Sequence, residues 1–333
     1  MQTRLISESQ IRELISMKEV IEAVDKTFAG YANGTVVNPT KVTLDMGESA
    51  PYPAYGSFMN AMPAYIGWTD MAGLKWAGGF DERKAGGRPW VSALMYLVDP
   101  RQGDFLAVMD ATYITAVRTG AQNAVGVMHY LKGRKSIKLG VCGAGVQGHM
   151  QTWAISEVFD ISQVKVFDVY RPAAEKYKAD MQQKIKGDII IVDSPKEVCD
   201  ADVVICVTVS KTPIIHNADV KPGTIVCPIG SYQEVDDEFI LSADKIIIDH
   251  LGQCFHRGLL AKLAGEGKLK ESDIFATLGE ICNGTKSVGD VSGQRIISCP
   301  IGMGALDVAV ASIVYQRAVE KGIGGSFNFH DCI

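Results

Sequence analysis

One stretch constrains the fold more than any other: Leu139-Gly140-Val141-Cys142-Gly143-Ala144-Gly145-Val146-Gln147-Gly148. An apolar run stops abruptly at three glycines spaced Gly-x-Gly-x-x-Gly, and a helix-like segment follows from Gln147. That order predicts a strand, a tight turn and a helix, the opening of a βαβ unit. The pattern then repeats. Short apolar runs at 138–142, 164–167, 189–192, 203–207, 224–228 and 245–248 alternate with polar, helix-like segments. Such alternation builds a parallel sheet with helices on its faces, so the fold class is α/β with a Rossmann-type doubly wound sheet.

The glycines have separable physical tasks. Gly143 permits the turn, Gly145 lets a pyrophosphate approach the backbone, and Gly148 lets helix and strand pack closely. Val146, Gln147 and Gly148 open the helix, whose free N–H groups and positive dipole end suit phosphates. The second strand ends at Asp168, twenty residues past Gly148. A carboxylate there accepts from ribose hydroxyls and repels a 2′-phosphate, which favours NAD over NADP. Arg171 is the residue that would instead meet a 2′-phosphate. Ligands of doubly wound sheets lie at the carboxyl ends of strands. Thr208-Val209-Ser210 after the fourth strand and Gly230-Ser231 after the fifth are therefore candidates to line the nicotinamide half, with ordinary turn chemistry as the alternative.

Before residue 112 the pattern differs. The first 35 residues read as helical, with a capping box at Ser16-Met17-Lys18-Glu19, apolar Val20, Val24 and Phe28, and Asn33-Gly34 as the stop. Strand-like runs follow at 41–46, 73–78, 91–98 and 105–109, then a helix from about Thr115 to Tyr130. This is a mostly antiparallel β module in an α+β lobe. Near the end, 303–319 reads as one long helix.

The bulk numbers exclude several classes. A net charge of −5 argues against a nucleic-acid partner. No run of about 18 apolar residues is present, so no membrane span is expected. The eight cysteines form no Cys-x-x-Cys pair, and a reducing, cytoplasmic compartment is expected. His250 and His256 lack metal-ligand spacing, so no metal is expected.

At this point the sequence resembles the ornithine cyclodeaminase/mu-crystallin family. The resemblance rests on Met62-Pro63-Ala64-Tyr65, Gly73-Leu74-Lys75-Trp76, Ile114-Thr115-Ala116-Val117-Arg118-Thr119-Gly120-Ala121, Thr277-Leu278-Gly279-Glu280-Ile281 and Gly302-Met303-Gly304-Ala305-Leu306-Asp307. It implies a substrate-binding and dimerisation lobe made of residues 1–118 and 304–333, with a dinucleotide-binding domain at 119–303 between them. It also implies a homodimer and chemistry on small α-amino or α-imino acids.

Within that family, Arg118 would clamp the substrate α-carboxylate and Lys75 would act at the carboxylate or the reacting nitrogen. Read without the family, a structural interdomain arginine at 118 and a solvated lysine at 75 are the favoured readings. Two departures from the family stand out. Lys41 occupies the place of an arginine anchor, which keeps the charge and loses the fork. Tyr232 stands where cyclodeaminases carry an aspartate, and a phenol with a pKa near ~10 is a poor base at neutral pH. Asp236 and Asp237 could substitute, although both look like a helix start. Asp307 reads as a structural hydrogen-bonding residue. The expected activity is NAD(P)H-dependent reduction of an α-imino acid or the reverse oxidation. The alternatives are an ornithine cyclodeaminase with bound NAD and a non-catalytic cofactor- and ligand-binding protein.

Overall fold

The computed structural model describes residues 2–47, 55–229 and 232–329, apart from the side chain of Lys84. The chain divides into two compact units, Met1–Arg118 with Met303–Ile333, and Thr119–Gly302.

In the first unit the elements are β1 (Gln2–Ile6), α1 (Glu8–Leu14), α2 (Met17–Ala32), β2 (Val36–Val37), β3 (Val42–Asp45), β4 (Ser57–Ile66), β5 (Met71–Phe80), α3 (Asp81–Ala85), β6 (Val91–Val98) and β7 (Phe105–Asp110). Helix α4 (Thr112–Tyr130) carries the chain into the second unit. There follow β8 (Ser136–Cys142), α5 (Val146–Ser156), β9 (Asp160–Phe167), α6 (Arg171–Met181), β10 (Asp188–Ile191), α7 (Pro195–Val198), β11 (Val203–Cys206), β12 (Ile225–Pro228), α8 (Asp237–Ser242), β13 (Lys245–Ile248), α9 (Leu251–Cys254), α10 (Ala261–Gly265), β14 (Ala276–Thr277), α11 (Leu278–Cys282) and β15 (Ile296–Cys299). The chain then returns to the first unit as α12 (Gly304–Glu320) and β16 (Gly325–Asn328).

The first unit is a sheet in the order β16-β1-β7-β6-β5-β4-β2, with β3 also on β4. Only β1 against β7 is parallel among the described pairs. One face of the sheet is covered by α12, which also packs on α2. Small residues set that distance: a Cβ on Gly304 would lie 2.6 Å from the Met62 carbonyl oxygen, and one on Gly73 would lie 3.2 Å from Val308. Helix α2 starts at the Ser16–Glu19 capping box, and the Glu19 carboxylate also pairs with Arg317 of α12. Arg317 and Ser16 hold the Glu19 carboxyl down at about 2.

The second unit is a wholly parallel sheet in the order β10-β9-β8-β11-β12-β15-β13-β14. The chain enters at β8, builds outward to β10, then returns to add β11 on the other flank of β8. The strand order therefore reverses between β8 and β11, where an open α/β sheet binds its ligand.

Several expectations need correction. The first 35 residues are not all helical, because 2–6 form β1, whose short alternating pattern is completed by β7 and β16. Helix α4 begins at Thr112, held by the Tyr113 N–H donating to Asp110 Oδ1 at 3.1 Å. Helix α5 begins at Val146, one residue before the expected Gln147, and ends at Ser156. Strands β2, β4, β14, β15 and β16 fall outside the strand-like runs of the sequence. β4 hides behind Ser57, Asn60 and Pro63, and the four-residue β15 is short but inserts between β12 and β13. No helix among the described residues is long and apolar enough to cross a membrane.

Candidate active site

The second unit places the glycine turn at the carboxyl end of β8. Gly143 has φ +104°, a conformation that penalises any side chain. A Cβ there would lie 2.8 Å from the Val207 carbonyl oxygen, and one on Gly148 would lie 2.2 Å from the Gly143 carbonyl oxygen. Gly145 is different: nothing lies within 4 Å of its Cβ position. The first and third glycines are thus required by the protein's own packing, whereas the second leaves space for something outside the chain. Gly145 is also the N-cap of α5, so Val146, Gln147 and Gly148 form the first helical turn, with their N–H groups at the positive end of the helix.

Asp168 joins this turn. Its Oδ2 accepts the Ala144 N–H at 2.8 Å and its Oδ1 accepts the Tyr170 N–H at 2.9 Å. Arg171 opens α6 and points to Asp193, with Nη1 2.9 Å from Oδ1, and to Glu175. Apolar side chains stand exposed around the turn: Val146, Val209, Tyr170 and above all Val169, at 92% exposure. Isolated exposed apolar residues are ordinary, but these four cluster at the carboxyl ends of β8, β9 and β11, where flat rings could cover them. Sequence periodicity did not single out Val169 or Tyr170. Thr208 and Ser210 follow β11. Thr208 donates both its N–H and its hydroxyl to Glu234 Oε1, at 2.6 and 2.7 Å. Gly230 and Ser231 lie outside the described residues.

Glycine spacing, helix terminus, acid at the second strand and open space at Gly145 all fit a dinucleotide pyrophosphate and its ribose.

The first unit brings together three charges far apart in sequence. Lys75 points inward from β5, between the buried Met62 of β4 and Met95 of β6. It is 1% exposed. Its Nζ donates to Asp307 Oδ2 at 2.9 Å and to Thr115 Oγ1 at 3.3 Å. Arg118 Nε donates to Asp307 Oδ1 at 3.0 Å. Thr115 and Arg118 are three apart on α4 and so share a face. Asp307 sits in the first turn of α12, where a carboxylate is favoured by the dipole. Asn38 fixes that terminus, its Oδ1 accepting the Ala305 N–H at 2.9 Å.

Burial is the largest influence on Lys75 and pushes its ammonium down to about 8; Asp307 opposes this and Arg118 adds to it. Asp307 is also penalised by burial, yet Arg118 and Lys75 together keep it below the usual carboxylate range. The cluster thus has one fixed anion, one arginine, and one lysine able to exchange a proton near neutrality. Asp307 was expected to be structural, and its link to both cations was not foreseen. The signal available was its place in the Gly-Met-x-x-x-Asp segment, which carries no information on what it touches.

Lys41 directly precedes β3. Val42 pairs with Ala61, so Lys41 stands one residue beyond that ladder, at the level of Met62, which in turn faces Lys75 across β4–β5. The candidate substitutes for the missing aspartate have other tasks. Asp236 caps α8 by accepting the Phe239 N–H at 2.8 Å, and Asp237 pairs with Lys262 at 2.5 Å.

Parallel sheet, switch point and glycine turn define a dinucleotide-binding α/β protein, here with a second unit carrying a buried lysine–aspartate–arginine cluster. The chain belongs to the ornithine cyclodeaminase/mu-crystallin family, whose model matches residues 1–322. It is 34% identical over 333 residues to an alanine dehydrogenase of Archaeoglobus fulgidus, covering 99% of each chain. Among solved structures it is similar to an archaeal alanine dehydrogenase dimer with bound NAD, with a TM-score of 0.90, 34% identity and coverage of 99% and 100% of the two chains. It is also similar to the Δ1-pyrroline-2-carboxylate reductase of Thermococcus litoralis in complex with NADH and L-proline, with a TM-score of 0.90, 30% identity and coverage of 97% and 99%.

Proposed function

We propose that this chain is an NAD-dependent oxidoreductase of carbon–nitrogen bonds, which reduces a small α-imino acid or oxidises the corresponding amino acid. The observation that carries the assignment is the buried Lys75–Asp307–Arg118 cluster in a member of a family with amino-acid and imino-acid oxidoreductases. With Lys75 protonated the three side chains sum to one positive charge, which a substrate α-carboxylate would neutralise. Arg118 and Lys41 hold that carboxylate in this scheme, Asp307 fixes the direction of Arg118 and Lys75, and Thr115 accepts from the lysine. Lys75 delivers a proton to the imine nitrogen in reduction and removes one from the amine in oxidation. The nicotinamide supplies or accepts the hydride when bound.

The glycine turn, Val146, Gln147 and Asp168 hold the dinucleotide. Asp168, already turned toward the glycine loop, supports NAD over NADP, and the Asp193 partner of Arg171 supports the same preference. Residues 1–118 and 304–333 serve as the substrate-binding lobe and residues 119–303 as the dinucleotide-binding domain. Self-association as a homodimer is supported by the sheet face opposite α12. Val42, Ala61, Trp76 and Leu94 align in one row across β3, β4, β5 and β6, and three of the four are exposed. Seven free cysteines among the described residues, six of them buried, support a cytoplasmic compartment.

The test is an NADH-oxidation screen with pyruvate plus ammonia, pyruvate plus methylamine, and Δ1-pyrroline-2-carboxylate, for the wild type and Lys75→Met. Turnover that Lys75→Met reduces by at least about a hundredfold, with NADH still bound, is expected from loss of a general acid. Ammonia release from ornithine with no net change in NADH would select ring closure instead. Full turnover in Lys75→Met would remove Lys75 from the chemistry.

A further inference from the structure

Glu234 belongs to no part of the scheme above, yet it is a fully buried acid bonded to the loop that follows β11. It follows β12 and is 0% exposed. Its backbone is pinned, the carbonyl oxygen accepting the Ile214 and Ile215 N–H groups at 2.9 and 3.0 Å. Its carboxyl is used asymmetrically. Oε1 accepts both Thr208 donors, while Oε2 is buried without a hydrogen-bond partner among the described residues. A buried carboxylate oxygen with no donor is expensive, and a proton on that carboxyl removes the charge.

What Glu234 holds is the wall of the cofactor turn. Thr208 Oγ1 accepts the Ser210 N–H at 3.1 Å, so one carboxyl oxygen organises three consecutive residues. Val207, next to Thr208, donates its N–H to the Cys142 carbonyl oxygen at 2.9 Å. Its own carbonyl group occupies the space a Cβ on Gly143 would need. A continuous set of contacts thus runs from Glu234 through Thr208 and Val207 to the first glycine of the turn.

We propose that Glu234 is a positioning residue that holds the Val207–Ser210 loop against the glycine turn, and that this turn accepts an anionic dinucleotide only while the Glu234 carboxyl is uncharged. The inference rests on the assignment of that turn to a nicotinamide dinucleotide. A charge appearing on Glu234 would oppose an anionic ligand at the adjoining glycine turn, and Oε2 has no donor among the described residues to offset that charge. Burial, the dominant influence, pushes Glu234 up to about 7, against the two Thr208 hydrogen bonds. Other ionisable groups lie around it. Cys206 of β11 stays a thiol, held well above its usual range by Cys142, burial and Glu234 itself. Cys142 lies behind it at the end of β8. Asp236, two residues on, is turned to the Phe239 and Asn217 N–H groups and to the exposed His216.

The experiment is a titration of the apoprotein with NADH, read by NADH fluorescence, at pH 6, 7, 8 and 8.5. If only the uncharged form binds, the wild-type Kd rises about tenfold between pH 6 and 8. Glu234→Gln keeps an oxygen for Thr208 and cannot ionise, so its Kd is expected to stay within about twofold over that range. Thr208→Val removes one of the bonds that favour the charged form, so its midpoint moves to higher pH, which keeps a readout should Glu234→Gln not fold. A wild-type Kd that does not change with pH, or a pH dependence that persists in Glu234→Gln, overturns the proposal. The second outcome would assign it to a group other than Glu234. No NADH binding at pH 6 would instead overturn the cofactor assignment beneath it.

Discussion

Replacing Lys75 by methionine should separate stability from catalysis, because the lysine is held in a place that disfavours its charge. Its pKa falls from 10.5 to about 8 on burial. The folded protein therefore binds fewer protons at this site than the unfolded chain between those values, and stability rises with pH through that window. At pH 7 both states are protonated and the full penalty applies, on the order of 3 kcal/mol. At pH 10 the folded lysine is neutral and about 1 kcal/mol or less remains. Methionine has similar length and no charge, but it leaves Asp307 Oδ2 without its donor, at a cost of about 1–3 kcal/mol. Lys75→Met is then as stable as the wild type or up to about 2 kcal/mol more stable at pH 7, and less stable at pH 10. The stability difference shifts by about 2–3 kcal/mol between the two pH values. Urea unfolding followed by circular dichroism at matched ionic strength measures it. Buried tyrosines such as Tyr130 and buried thiols also titrate at alkaline pH, but they are common to both proteins and cancel. A loss of about 3–5 kcal/mol at pH 7, as for an ordinary broken buried ion pair, would refute the reasoning. So would a difference that ignores pH.

The other expectations concern the same two units. The reductive rate should fall as pH rises above about 8 and the oxidative rate should fall below it, since Lys75 must be charged for one direction and neutral for the other; pH profiles of kcat/KM in both directions check this. Asp168→Ala should raise the Kd for NADH about tenfold and shift the NADPH-to-NADH preference toward NADPH, measured by equilibrium titration. Gly148→Ala places a methyl group 2.2 Å from a carbonyl oxygen and should lower Tm. Gly145→Ala meets no protein atom within 4 Å and should leave Tm unchanged while weakening NADH binding. A Trp76→Glu, Leu94→Glu double variant should elute as a monomer, with light scattering as the measure, if the exposed row on the sheet joins two copies.

The parallel sheet and its glycine turn were legible before folding was considered, because each rests on residues adjacent in the chain. Apolar runs of four to eight residues, a Gly-x-Gly-x-x-Gly turn and the acid at Asp168 are local patterns whose geometry follows from backbone conformation and strand alternation. Short strands such as β14 and β15 escaped that logic. A two- or four-residue strand has no period to read, and its place in the sheet is set by neighbours far along the chain. Family resemblance pointed to Lys75 and Arg118, but not to what they do to each other. The folded arrangement sets Asp307, 232 residues beyond Lys75, between the two cations. It also decided that Glu234 holds Thr208 from 26 residues away. The physical reason is the same in both cases. A carboxyl group's charge, pKa and task depend on burial and on the donors that reach it, and folding brings those donors from distant parts of the chain.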